Sequence, residues 1–121
     1  MLYGTIFGDM AGSTYEWHPV KNKKFETFPI KSHFTDDTVM TLSVASWLSS
    51  TNRTCDALVK SMQYFGSLYP HAGYGRNFYN WLRDEDPQPY YSWGNGSAMR
   101  VSPCAWVAQS LEEAEELAKQ S

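Results

Sequence analysis

Thr35-Asp36-Asp37 places a hydroxyl and two adjacent carboxylates at the start of an apolar-periodic segment. Hard oxygens grouped in this way can ligate one divalent cation, and magnesium or a close relative suits them. The same two acids also complement the positive end of a helix dipole with no metal present, so spacing alone leaves both readings open. Two further segments bracket the motif. Gly8-Asp9-Met10-Ala11-Gly12, followed by Glu16, lies before it, and Gly94-Asn95-Gly96-Ser97-Ala98-Met99-Arg100 lies after it. The latter sets two glycines and small polar residues ahead of a helical run. Free backbone N–H groups there can face an anion such as a diphosphate, or the loop is plain and Asn or Ser caps the helix.

In this order the three segments resemble the ADP-ribosylglycohydrolase family, and the likeness runs from Gly4 to about Pro103. The resemblance implies an all-α, orthogonal multi-helix fold in which residues 1–121 form the amino-terminal part of a single domain. It implies magnesium-dependent hydrolysis of the N- or O-glycosidic bond that joins ADP-ribose to a protein side chain or related acceptor. Thr35, Asp36 and Asp37 would be the metal ligands. Glu16 would join Asp36 and Asp37 in catalysis, as a gating or proton-handling carboxylate beside the metal. Ser92, Trp93, Asn95, Gly96, Ser97 and Met99 would line the ADP-ribose pocket. Asp9 is assigned to orienting neighbours or capping the following loop. His71-Ala72-Gly73-Tyr74-Gly75 resembles a further substrate-side loop, with His71 itself read as a surface residue.

The family's chemistry accounts for these residue types. Cleavage at the ribose anomeric carbon builds oxocarbenium character, and magnesium can position the ribose hydroxyls and the attacking water while a carboxylate handles the proton. Adenosine needs an aromatic or apolar wall, for which Trp93 is the first candidate and Tyr74 or Phe78 the second. Phe78 and Trp81 read as core packing.

Family members are longer and carry, near their carboxyl end, a second acidic cluster of the Asp-x-Asp-Thr kind that completes a two-metal centre. Asp84-Glu85-Asp86, flanked by Pro87 and Pro89, does not replace it and reads as a solvated turn. The expectation is therefore a chain cut short relative to the full domain, with partial magnesium coordination and with turnover only if another chain or segment supplies the missing acids. The alternative is a catalytically inactive ADP-ribose-binding module or structural remnant. Absent helices would leave Val44, Trp47 and Trp106 partly exposed, and self-association follows as a further expectation.

The elements that must position these residues are all helical. Leu2, Ile6, Phe7, Met10 and Ala11 recur at helical spacing, and Gly8 and Gly12 share a face that predicts close approach of a neighbouring backbone or, alternatively, of a ligand. Residues 18–32 have no period and predict a surface loop. Thr35 to Ser50 is a helix with the stripe Val39, Met40, Leu42, Ser43, Val44, Trp47 and Leu48. Thr54 caps a third helix with Ala57, Leu58, Met62 and Phe65 inward and a stop near Gly66 and Pro70. Asn77 to Arg83 forms a fourth, Ala98 to Gln109 another with Pro103 in its first turns, and Ser110 with Glu113 opens a last amphipathic helix as a capping box.

Composition narrows the functional classes. Hydrophobic residues at 42% and aromatics at 16% are too abundant for a disordered chain. Glu112, Glu113, Glu115 and Glu116 against Lys119 carry the whole net charge of -3, leaving no basic stripe for duplex nucleic acid beyond Lys21-Asn22-Lys23-Lys24, which reads as a solvated loop. The partners expected are ADP-ribose or an ADP-ribosylated protein, with no nucleic acid and no membrane. Cys55 and Cys104 fit neither a zinc site nor a disulfide framework, and a reducing cytoplasm suits them.

Overall fold

The computed structural model describes residues 2–121. It consists of helices α1 (Leu2–Gly12), α2 (Asp36–Ser49), α3 (Cys55–Leu68), α4 (Arg76–Trp81), α5 (Gly96–Arg100), α6 (Ser102–Val107) and α7 (Leu111–Gln120). No strand occurs among the described residues, so the fold is all-α as expected. Helix α2 is central and packs against α1, α3, α5 and α6, while α7 rests on α6.

The sequence stripe of α2 understates its burial. Thr38, Val39, Met40, Thr41, Ser43, Val44, Trp47 and Leu48 are all buried, because a helix ringed by neighbours has no solvent face left over most of its length. Its hydroxyls are satisfied locally: Thr41 Oγ1 donates to the Asp37 carbonyl at 2.6 Å and Ser43 Oγ to the Met40 carbonyl at 2.9 Å. Ser61 Oγ of α3 reaches the Ser43 carbonyl at 2.8 Å, and Trp47 Nε1 donates to the Thr54 carbonyl at 3.1 Å. Leu58 and Met62 fill the α3 side of this core, with Ala57 and Phe65 half-buried beside them. Val44 and Trp47 are therefore enclosed, at 0% and 2% exposure, contrary to the expectation that they would be left open. Trp106 is half-buried.

Two expectations from the sequence are corrected. Ala98–Gln109 is not one helix: α5 ends at Arg100 and α6 begins at Ser102. Pro103 has no N–H for the Met99 carbonyl and its ring crowds that carbonyl, so the ladder breaks there. Helix α3 stops at Leu68, between Gly66 and Pro70 as expected. Gly66 lies just inside the helix, where a Cβ would come within 2.9 Å of Leu82 Cδ1, so its bare backbone admits the end of α4. The glycines of α1 do the opposite of what was expected. A Cβ on Gly4, Gly8 or Gly12 would meet nothing within 4 Å, so no neighbouring backbone approaches that face.

Residues 18–32 are a surface loop, nearly all exposed. The loop is tied back to the start of the chain by Tyr15 Oη donating to the Glu26 carbonyl at 2.7 Å and by edge-on contacts of Tyr15 with Phe25 and Phe7 with Phe28.

Candidate functional site

The start of α2 is organised around Asp9 of α1. Asp9 Oδ2 accepts the backbone N–H of Thr35 at 2.7 Å, and Oδ1 accepts the Thr35 hydroxyl at 2.7 Å. Oδ2 also accepts the Thr38 N–H at 3.2 Å and the Thr38 hydroxyl at 2.5 Å. A carboxylate that accepts four hydrogen bonds at a helix N-terminus has its acceptor capacity fully used. Thr35 is the N-cap, its Oγ1 accepting the Asp37 N–H at 3.3 Å. The sequence reading of Asp9 as an orienting acid anticipated this arrangement in kind, though the separation of 26 residues gave no sign of four bonds.

Asp36 and Asp37 stand beside this clamp. Burial, then the charge of Asp37, and more weakly those of Glu16 and Asp9, push the Asp36 carboxyl up to about 6. Burial and the charge of Asp9 raise Asp37 as well. Like charges held together in a partly dry site disfavour ionisation. The one ion pair among the described residues joins Lys119 to Glu116, so no lysine or arginine neutralises this group. Glu16 is exposed beyond the end of α1, near enough for its charge to reach Asp36.

The donor set can be tested for a divalent cation. The Thr35 hydroxyl spends its hydrogen on Asp9, and Asp37 N–H takes one lone pair, which leaves the other lone pair for an ion. Together with the unneutralised Asp36 and Asp37 carboxylates this is hard-oxygen chemistry of the right kind. It is also incomplete: among the described residues no three His, Cys, Asp or Glu side chains come close enough to hold one metal ion. Asp9, with its carboxylate committed to four donors, serves to hold Thr35 and is not a further ligand.

From Asp36 an open groove of about 1150 Å3 extends across the molecule. Its lining includes Ser92, Trp93, Asn95, Gly96, Ser97 and Met99, all six of the residues assigned to substrate, and Asp36 lines it as well. This volume exceeds the roughly 300–1,000 Å3 of most small-molecule pockets and admits an extended ligand. Trp93 and Tyr91 are fully exposed on the rim, at 103% and 102%. Phe78 and Trp81 stack at 5.4 Å and pack on the core, as expected, while also facing the groove. Arg100 projects among them. Its Nε donates to the Ser121 carbonyl at 2.8 Å, its Nη2 to the same oxygen, and its Nη1 to the Gly96 carbonyl at 3.2 Å.

The loop at residues 71–75 runs beside Asp36. Gly73 has φ +104°, and a Cβ there would lie 3.5 Å from Asp36 Oδ1. Burial, with the charge of Asp36, pushes the Tyr74 phenol up to about 12. His71 is exposed, as read from the sequence. Sequence reasoning placed Tyr74 only as a second choice for an aromatic wall and missed its position beside Asp36. The Gly-Tyr-Gly sequence was the available signal, since a glycine at positive φ lets backbone approach a side chain closely.

With this geometry in hand, comparison with known proteins is informative. The model of the ADP-ribosylglycohydrolase family matches residues 1–121, the whole sequence, and the chain belongs to that family. No curated protein matches it.

Proposed function

We propose that this member of the ADP-ribosylglycohydrolase family uses its groove to bind ADP-ribose and the start of α2 to hold magnesium. In this reading it contributes to hydrolysis of an N- or O-glycosidic bond between ADP-ribose and a protein side chain or related acceptor. One observation carries the reading: the groove that runs from Asp36 is lined by all six residues of the glycine-rich segment assigned to the nucleotide. Family membership supports a hydrolase of the ADP-ribosylglycohydrolase type in general.

Thr35, Asp36 and Asp37 would hold the ion. Bound magnesium supplies a Lewis-acidic centre that orients ribose hydroxyls and water. The chain's own groups do the rest. Asp9 keeps the Thr35 oxygen turned outward by taking its hydrogen. Gly96 lacks side-chain bulk that would keep a diphosphate from its backbone N–H, and Trp93 offers a free ring face to adenine. Glu16, exposed and close in charge to Asp36, is placed to accept or return the proton of the attacking water.

The incomplete ligand set among the described residues favours one second reading, a module that binds ADP-ribose without turning over. Assay of ADP-ribose release from a modified protein in the presence of magnesium, alongside calorimetry with ADP-ribose, separates the two. Release that is lost in Asp36→Asn supports hydrolysis; binding with no release selects the module; neither binding nor release rejects both.

A further inference from the structure

Tyr74 carries a hydroxyl with nowhere to donate. Its ring packs edge-on against Phe78, with centroids 6.0 Å apart, and rests on the core. The phenol oxygen is sealed from solvent and has no hydrogen-bond partner among the described residues. A buried donor left in this state is unfavourable, because it has given up water and gained no acceptor. Thr14, Ser32 and Ser102 also have unpartnered hydroxyls. Tyr74 differs in its neighbour: the adjacent residue Gly73 lies against Asp36 Oδ1, and the Asp36 charge is felt at the phenol.

Asp36 is the complementary case. Asp9 accepts four hydrogen bonds and Asp37 stands within 3.3 Å of the Thr35 hydroxyl, yet among the described residues no other side chain donates to the Asp36 carboxylate. One group is therefore a donor without an acceptor, and its neighbour is a ligand candidate without an orienting side-chain donor. Carboxylates that bind metal ions are normally held by outer hydrogen bonds, and losing such a partner weakens metal affinity about 10–100-fold.

We propose that Tyr74 is a positioning residue whose Oη–H donates to the Asp36 carboxylate when a cation occupies the start of α2, fixing which carboxylate oxygen faces the ion. This rests on the reading of Thr35, Asp36 and Asp37 as the cation site. The positive φ of Gly73 lets the backbone next to Tyr74 approach Asp36, which puts the phenol on the loop that borders this carboxylate.

Mn2+ serves as the probe, titrated into the whole chain by calorimetry, with thermal unfolding followed in parallel. Tyr74→Phe keeps the ring and its packing. Its melting temperature is expected to equal or exceed that of the unsubstituted chain, because an unpartnered buried hydroxyl is removed, while its Mn2+ dissociation constant rises about tenfold or more. Unchanged Mn2+ affinity in Tyr74→Phe, whatever its melting temperature, overturns the role of Tyr74 and leaves the cation site standing. An unsubstituted chain that binds no Mn2+ overturns both.

Discussion

The start of α2 and the rim formed by residues 90–97 face the same groove and are built by opposite means. At the start of α2 the clamp spans a long stretch of chain: Asp9 in α1 grips Thr35 and Thr38, and its charge adds to the crowding of Asp36 and Asp37. At the rim the contacts are local. Gly94 N–H donates to Ser92 Oγ two residues away at 3.1 Å, and Tyr91 and Trp93 touch little or nothing. The first region is organised before any ligand arrives and carries an electrostatic penalty for it. The second leaves its aromatic surface open, at a hydrophobic cost that only a partner can offset.

Substitutions can sharpen or break that contrast. Asp9→Ala strips four donors of their acceptor, two of them backbone N–H groups at a helix start. A loss of about 3 kcal/mol or more is expected in urea denaturation; a loss under about 0.5 kcal/mol would show that α2 holds its position without the clamp. Trp93→Ala should move stability by no more than about 0.5 kcal/mol while weakening ADP-ribose binding about tenfold, the scale of losing a stacking aromatic. Equal affinity in calorimetry would remove Trp93 from the nucleotide wall.

The third effect is smaller and lies in the pH dependence. Asp36 has its carboxyl raised from 3.8 to about 6 in the fold, so the unfolded chain gives up this proton first as pH rises. Between those values the folded state binds more protons, and stability falls with increasing pH. With solvent screening of a half-buried carboxylate allowed for, the fall should be about 1 kcal/mol. Chemical denaturation of Asp36→Asn across this window should lack the decline attributable to Asp36. An identical slope in both proteins would mean that the crowding at the start of α2 is relieved in solution.

Where order is local, the amino-acid sequence was a good guide. Thr35, Thr54 and Ser110 each cap the helix they were expected to open, because a cap is a contact within two or three residues. Even there a detail moved: Glu113 Oε2 accepts from Gln109 N–H at 2.7 Å, one residue before the cap. The tight contact at Gly66 and the open face of the α1 glycines were hidden for one reason. Glycine permits close approach but does not say whether anything comes, and Leu82 arrives at Gly66 while nothing arrives at Gly8 or Gly12. The enclosure of Val44 and Trp47 was likewise hidden, since it depends on four other helices converging on α2. The site residues were named from motif order; the function of Asp9 as their common anchor, and the place of Tyr74, required the three-dimensional chain.

Pro103 leaves the Met99 carbonyl without its helical partner, and that oxygen lies 3.4 Å from Thr41 Oγ1, which also donates to the Asp37 carbonyl at 2.6 Å. A hydroxyl has one hydrogen, so two carbonyls compete for it: one belongs to the acidic turn of α2 and the other to the floor of the groove. The hydroxyl thus acts as a balance beam. Hydrogen-bond strength gained at the Met99 carbonyl is lost at the Asp37 carbonyl, so the acidic turn of α2 and a residue lining the groove share one buried hydroxyl.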